Sequence, residues 1–407
     1  RVKWIDTNKG DDERPNYRSR LVAMEVRKPW ESSIFAPTPP LESLRAILSL
    51  AATDVTGRRA HDRRGTSPQR TQISIIDIKR AYFNAVIDDD KPVFVELPDE
   101  DPDKARGMCA RNLKHMYGTR QAGAGWHDEY AGHLTEAMGF VKGEASSCVF
   151  RHRERDIVTS VYGDDFTTTG TKVNLDWFKA KLEERYELTE AARLGPGDTD
   201  DKEGRVLNRV VRWTPEGLEY EADPRQAEHL VADLNLEGAK TLGTPGCKPT
   251  AEQLLEDKLL PKAQETPYRA VSARANYLAA DRPECQFSAK ELCRWMSTPH
   301  ASGLAGFKRL GRYLEGRRRL VFKYPWQSAD LIDTYSDTDW AGCVRTRKST
   351  SGGCLMLGSH LIKSWSTTQS VIALSSGEAE YYGMVKGASV GLGIQSVLRD
   401  FEINVKL

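Results

Sequence analysis

Paired cysteines are what this sequence most clearly lacks. Its seven cysteines (Cys109, Cys148, Cys247, Cys285, Cys293, Cys343 and Cys354) are odd in number, scattered over 407 residues and never spaced C-x-x-C. That excludes a disulfide framework and a zinc module of ordinary spacing; the thiols read as reduced, intracellular and packed as small core residues. A surplus of one charge is missing as well, since 59 Lys+Arg meet 58 Asp+Glu for a formal net charge of +1. No global cationic field announces a nucleic-acid partner, so any such binding has to come from local patches. No apolar run approaches the roughly 20 residues of a spanning helix, which excludes membrane insertion. Internal repeats, low-complexity tracts and a signal peptide are absent too, and the chain opens at Arg1. It reads as a fragment of something longer, in an intracellular setting, cytoplasmic or nuclear.

What is present is the balance of a folded chain, 39% hydrophobic and 29% charged, with a length that predicts two or three domains. Two breaks are expected, at residues 194–204 (LGPGDTDDKEG) and 323–330 (KYPWQSAD). The run QISIIDI at 72–78 is β-branched and apolar enough for a buried strand that ends on a carboxylate, and 92–97 reads as another strand. Trp126, Tyr130, Leu134 and Met138 recur every four residues and predict one apolar helix face. Residues 156–162 and 166–169 flank Gly163-Asp164-Asp165, which predicts a hairpin with an acidic tip. A helix carrying Leu175, Phe178, Leu182 and Tyr186 follows. A strand pair is expected about the TPEG turn at 214–217, then helices starting at Asp223-Pro224 and Thr266-Pro267, and one over 301–314 with Arg317, Arg318 and Arg319 beyond it, a cluster suited to phosphate. The tail reads as strands at 332–336, 353–357 and 361–365, then a helix over 376–398.

Three acidic side chains carry the chemistry: Asp77 at a strand end, Asp164 and Asp165 at a hairpin tip. If the two strands are neighbours the carboxylates converge, and like charges held that close call for bound cations. Mg2+ suits such a site because it takes oxygen ligands and keeps places for substrate phosphates; Mn2+ is the substitute. Two such ions about 3.5 to 4 Å apart stabilise the attacking and leaving oxygens of an in-line phosphoryl transfer. The plain structural alternatives are a solvated Gly-Asp-Asp turn and an Asp77 that caps a helix. Each is the simpler account taken singly, but the combination is rarer than either.

Here the sequence resembles a known family. DIKRAYFN at 77–84 looks like the first palm motif of reverse transcriptases, and Tyr162-Gly163-Asp164-Asp165 like their YxDD box. More narrowly, the chain is similar to the Pol polyprotein of copia-type LTR retrotransposons. RSRLVA at 18–23 and FAP at 35–37 resemble its fingers entry, and LKHMYGTRQA at 113–122 with Trp126 its LYGLKQA…W stretch. YR at 268–269, NYL at 276–278, RP at 282–283 and RYL at 312–314 resemble its thumb and connection. YSDTDWAG at 335–342, KSTSG at 348–352 and ALSSGEAEY at 373–381 resemble its ribonuclease H domain.

The resemblance implies an α+β right-hand reverse transcriptase of fingers, palm and thumb, followed by a connection and a truncated ribonuclease H-like domain. The implied limits are 1–216 for fingers and palm, 217–325 for thumb and connection, and 326–407 for the tail. It implies an RNA-directed DNA polymerase acting on an RNA template, a DNA primer, the RNA–DNA hybrid and deoxynucleoside triphosphates, alongside other parts of a Pol polyprotein. Asp77, Asp164 and Asp165 would hold the metals, the backbone near Lys79 and Arg80 would face the triphosphate, and Tyr82 would be the ring that excludes a 2′-OH. Arg18 and Arg20 would grip phosphates, and Gln121 would stand near template and incoming base. A solvated basic strand, and a polar residue at a helix start, are the ordinary readings of those last positions. Trp126 is expected to pack the core. In the tail Asp337 and Glu378 match the first two acids of a two-metal ribonuclease H site, with Asp339 a rival for the first, and Ser375-x-x-Glu378 also reads as a capping box.

Departures from the family pattern are also legible. The chain stops at Leu407 before a third ribonuclease H acid, which predicts little hybrid cleavage. Leu207-Asn208 stands where the family has Leu-Gly in a primer-contacting hairpin, and Gly123-Ala-Gly replaces Ala-Pro-x. The basic stretch GRRAHDRRG at 57–65 reads as a solvated loop or a template-backbone contact. Two alternatives stay open beside an active polymerase: a decayed retroelement remnant that at most binds nucleic acid, and another two-metal palm enzyme such as a nucleotide cyclase. The thumb-like and ribonuclease-H-like regions argue against the cyclase.

Overall fold

Burial on both faces turns the β-branched run Gln72–Ile78 into an interior strand, and the fold of the first half is built outward from it. The computed structural model describes residues 1–11, 13–27, 34–54 and 71–407, so the basic stretch at 57–65 lies outside the described residues. The architecture is mixed α+β, in two compact units: Arg1–Pro40 with Ser74–Ala191, and Leu41–Ile73 with Ala192–Leu407.

In the first unit a six-stranded sheet runs in the spatial order Leu188–Leu194, Gln72–Ile78, Asp165–Gly170, Ile157–Tyr162, Val149–His152, Val141–Lys142. The strand ending in Asp77 is therefore a direct neighbour of the acidic hairpin. Trp126 and Tyr130 on the Ala122–Gly132 helix, Leu134 in the wider π-turn His133–Ala137, and Met138 all bury against Ile76, Ile78, Val161 and Phe166. A strict period of four overshoots the 3.6-residue turn, and the wider turn takes up that drift so that one face stays on the sheet. The Lys172–Glu183 helix adds Leu175, Phe178 and Leu182, with Tyr186 buried just past its end. Two antiparallel ribbons complete the unit, Val2–Asn8 with Tyr17–Ala23 and Val93–Glu96 with Cys109–Asn112.

The second unit has its own core, where Leu230, Tyr268, Val271, Ala275, Phe307, Leu310 and Leu314 pack together from helices Pro224–Asp233, Lys262–Ala279 and Ala301–Glu315. Asp223 caps the first of these as expected, accepting from the Arg225 N–H at 3.1 Å. The start expected at Thr266-Pro267 is corrected: the helix begins at Lys262 and contains Pro267. The chain before it is pinned, with the Leu260 N–H donating to the Pro299 carbonyl at 2.9 Å and Leu259 bridged to His300. Winding therefore starts there, and the exposed Pro267 forgoes one intrahelical bond.

Residues 323–330 likewise do not form a spacer. Val321–Pro325 is the fourth strand of a sheet with Glu203–Val206, Arg209–Thr214 and Gly217–Glu221, and Gln327–Ser328 pairs with Thr53–Asp54. The tail is a three-stranded antiparallel sheet, Ile332–Thr338, Thr350–Leu357 and His360–Thr368, with the Ser376–Asp400 helix against it. That helix approaches closely because it is glycine-lined. A Cβ at Gly383 would meet Thr338 Cγ2 at 2.4 Å, and one at Gly387 would meet Thr334 Cγ2 at 3.3 Å.

Candidate active site

Each of the three carboxylates stands where its local structure puts it. Asp77 is the last residue but one of its strand, and Tyr162 pairs directly with Asp165, leaving Gly163 and Asp164 as a two-residue turn. Gly163 has φ 65°, the positive value that the first position of a II′ turn requires and that glycine takes without strain. Two hydrogen bonds hold the tip. The Ile78 N–H donates to the Asp164 carbonyl at 2.9 Å, and the buried Trp126 indole N–H donates to the Gly163 carbonyl at 2.8 Å.

The result is that Asp77, Asp164 and Asp165 each offer an oxygen, all within 4.8 Å of one another, the sole cluster of three such groups among the described residues. Burial, then the charges of Asp164 and Asp77, push the Asp165 carboxyl up to about 6. Burial and Asp164 also raise Asp77, against the pull of Arg18 and Lys79. Among the described residues none of the three pairs with a basic side chain. Three convergent hard oxygens whose mutual repulsion Arg18 and Lys79 offset only in part fit a divalent cation of the Mg2+ type.

Around this cluster the residues singled out from sequence fall into three groups. Arg18 and Arg20 alternate onto one face of their ribbon; Arg18 acts on Asp77, and the Arg20 guanidinium lies 4.3 Å over the Tyr117 ring. Tyr82 is half-buried beside Tyr117, ring centroids 4.6 Å apart, and burial with Asp164 nearby raises both phenols, although Arg20 opposes the shift at Tyr117. Lys79 and Arg80 send their side chains to one carboxylate, that of Glu187, with Lys79 Nζ at 2.9 Å. The Lys79 N–H donates to the Glu187 carbonyl at 2.8 Å, and Arg80 is left-handed at φ 54°. Gln121 occupies the N-cap of the Trp126 helix without a side-chain capping bond. Tyr117 and Glu187 were not singled out from sequence. Tyr117 stood inside a recognised motif, whereas Glu187 carried no signal, because its partners are about a hundred residues away.

The tail acids sit differently. Asp337 is exposed, and the strand's alternation puts it opposite Thr334, Ser336 and Thr338, which pack on the helix glycines. The Glu378 carboxylate accepts from the Leu374 N–H at 2.7 Å while the Glu378 N–H donates to Ser375 Oγ at 3.1 Å, a helix-capping arrangement. Asp339 accepts from the Thr350 N–H at 2.6 Å and from Lys248 Nζ at 2.8 Å. Of the three arginines at 317–319, Arg318 pairs with Glu315, Arg319 with Glu221, and Arg317 lies over the Tyr313 ring.

Comparison with known proteins agrees with this geometry. A family model described as reverse transcriptase (RNA-dependent DNA polymerase) matches residues 1–195. The retrovirus-related Pol polyprotein from transposon RE2 of Arabidopsis thaliana is 28% identical over 99% of the chain, and that from transposon RE1 of the same plant is 27% identical over 99%. The corresponding polyprotein from transposon TNT 1-94 of Nicotiana tabacum is 24% identical over 100% of the chain. The chain spans only 26% of the length of each Arabidopsis relative and 30% of the tobacco one.

Proposed function

Because the chain belongs to the reverse transcriptase region of copia-type retrotransposon Pol polyproteins, we propose that it is an RNA-directed DNA polymerase whose centre is Asp77, Asp164 and Asp165. The observation that carries this is the convergence of those three carboxylates within 4.8 Å. Divalent ions bound there would neutralise the triphosphate and lower the cost of generating the attacking 3′ oxygen. The chain's own residues supply position. Trp126 and Ile78 fix the turn that presents Asp164 and Asp165. Tyr82, braced by Tyr117, is the wall that leaves no room for a 2′-OH on the incoming sugar. Arg18 and Arg20 face phosphate oxygens, with Arg20 levelled on Tyr117, and Gln121 lies toward template and base. Lys79 and Arg80, drawn together by Glu187, put a left-handed backbone turn beside the triphosphate.

The right-hand division into fingers, palm, thumb and connection is the arrangement we infer for the whole chain, with RNA template, DNA primer and deoxynucleoside triphosphates as its partners. We assign the tail a ribonuclease H-like fold with Asp337 and Glu378 as its acids, and the capping bonds of Glu378 support weak hybrid cleavage at best. The decisive experiment is primer extension on an RNA template with Mg2+ or Mn2+. Extension abolished by Asp164→Asn and by Asp165→Asn supports the polymerase. Its absence in the unaltered chain, with salt-sensitive hybrid binding retained, supports instead a decayed element, the reading that the non-glycine turn Leu207-Asn208 favours.

A further inference from the structure

Within the unit formed by residues 41–73 and 192–407, a cavity of about 790 Å3 opens between the Pro283–Cys293 and Ala301–Glu315 helices, the segment entering the Ala251–Leu255 helix, and the loop before Thr350. That volume is in the range of small-molecule sites. Its floor is apolar, with Leu254, Phe287 and Leu292, while seven lining residues are Lys or Arg and three are Asp or Glu. Two of the three acids are already engaged: Asp257 accepts from the Ser302 N–H at 2.9 Å, and Glu291 pairs with Arg294 at 2.9 Å. Of the cations, Arg294 is used by Glu291, Lys248 pairs with Asp339 at 2.8 Å and Arg312 donates to the Lys240 carbonyl at 2.6 Å, whereas Arg309 and Arg345 meet no carboxylate among the described residues. Arg309 donates through one Nη to Thr244 Oγ1 at 2.6 Å, yet its buried Nε–H has no partner among the described residues. Arg345 rests 4.3 Å over the Trp295 ring, with no carboxylate partner among the described residues. The excess of cations over acids in the wall favours an anionic occupant, whose oxygens a guanidinium receives with charge-assisted hydrogen bonds.

We propose that this cavity binds a small organic anion with a planar apolar body, the body lying on the Phe287–Leu292 floor and the anionic group meeting Arg309 and its neighbours. None of the lining residues belongs to the Asp77, Asp164 and Asp165 cluster, and the inference does not rest on the proposed polymerase activity. The wall also supplies a reporter. Cys343 Sγ accepts from Arg294 Nη1 at 3.3 Å, and although burial opposes it, hydrogen bonds from Thr346 and Arg294 hold this thiol below its ordinary range.

The test uses the full chain and two fluorescent probes of one shape, anilinonaphthalene sulfonate and its uncharged counterpart N-phenylnaphthylamine. The expected result is one saturable sulfonate site, about tenfold or more tighter than the neutral probe and weakened by salt. Arg309→Met should remove that preference without changing the neutral probe's affinity. Bound sulfonate should slow iodoacetamide labelling of Cys343, read by peptide mass spectrometry, and leave the exposed Cys109 unchanged. Equal affinity for the two probes, or unchanged labelling of Cys343 at saturation, overturns the proposal. The labelling arm needs no variant, so it decides the matter even if Arg309→Met does not fold.

Discussion

The indole N–H of Trp126 donates to the carbonyl oxygen of Gly163 across 2.8 Å, joining a core helix to the turn that carries Asp164. A residue whose bulk belongs to the core thus has its one polar atom at the chemistry. Trp126→Phe keeps an aromatic ring, leaves that carbonyl unpaired and opens a small gap. It should cost about 1–3 kcal/mol in denaturant unfolding, and primer extension should fall further than the stability loss explains. Extension equal to that of the unaltered chain would show that the turn is held without the indole.

Asp165 makes function and stability oppose each other. Its carboxyl is pushed up to about 6 in the folded chain, against an ordinary value of 3.8. The folded state therefore holds this proton more tightly than the unfolded one. The corresponding stability is present below about 4 and lost as pH rises through 6. Asp165→Asn should then raise Tm at pH 7 without divalent ions, the gain shrinking toward pH 4, while abolishing extension. Mg2+ competes with the same proton, so its apparent affinity in the unaltered chain should climb between pH 5 and 7. A pH-independent Tm difference would contradict this.

His360 works with the opposite sign. It is buried, shares a hydrogen bond with Ser49 Oγ at 2.8 Å and another with the Pro325 carbonyl at 2.8 Å, and burial pushes it down to about 4 from 6.5. The unfolded chain takes up this proton first as pH falls, so stability is complete above 6.5 and drains away toward 4. The loss at this site is on the order of 3 kcal/mol. Urea midpoints measured across that window should fall, and His360→Gln should flatten the dependence although it lowers the plateau.

Leu207 and Asn208 both adopt left-handed backbone, φ 49° and 67°, in the two-residue link between Glu203–Val206 and Arg209–Thr214. Asparagine takes this conformation at little cost and leucine at a larger one. Leu207→Asn and Asn208→Gly together should stabilise the chain by about 1–2 kcal/mol. A loss of stability, read from urea unfolding, would mean that the partly buried Leu207 side chain contributes more than its backbone costs.

Much of the candidate site was legible because it is written in short stretches. The 72–78 strand, the hairpin with its acidic tip and the Asp223-Pro224 helix start each rest on a few adjacent residues whose propensities agree. Pro267 misled for the same reason: a proline marks a helix start locally, but the pairing of Leu259 with His300 sets the start earlier, and the tertiary constraint prevails over local preference.

What the sequence alone determined is the identity and local placement of the reactive groups: a carboxylate at the end of a buried strand, two more at a glycine-led turn, and apolar faces of helical or alternating period. What only the tertiary structure decided is which of them meet. The adjacency of the Asp77 strand and the Asp165 strand, the joining of Lys79 and Arg80 by Glu187, and the bond from Trp126 to the turn all link residues far apart in the chain. Such meetings follow from burying the whole apolar surface at once, a global condition that no window of neighbouring residues contains.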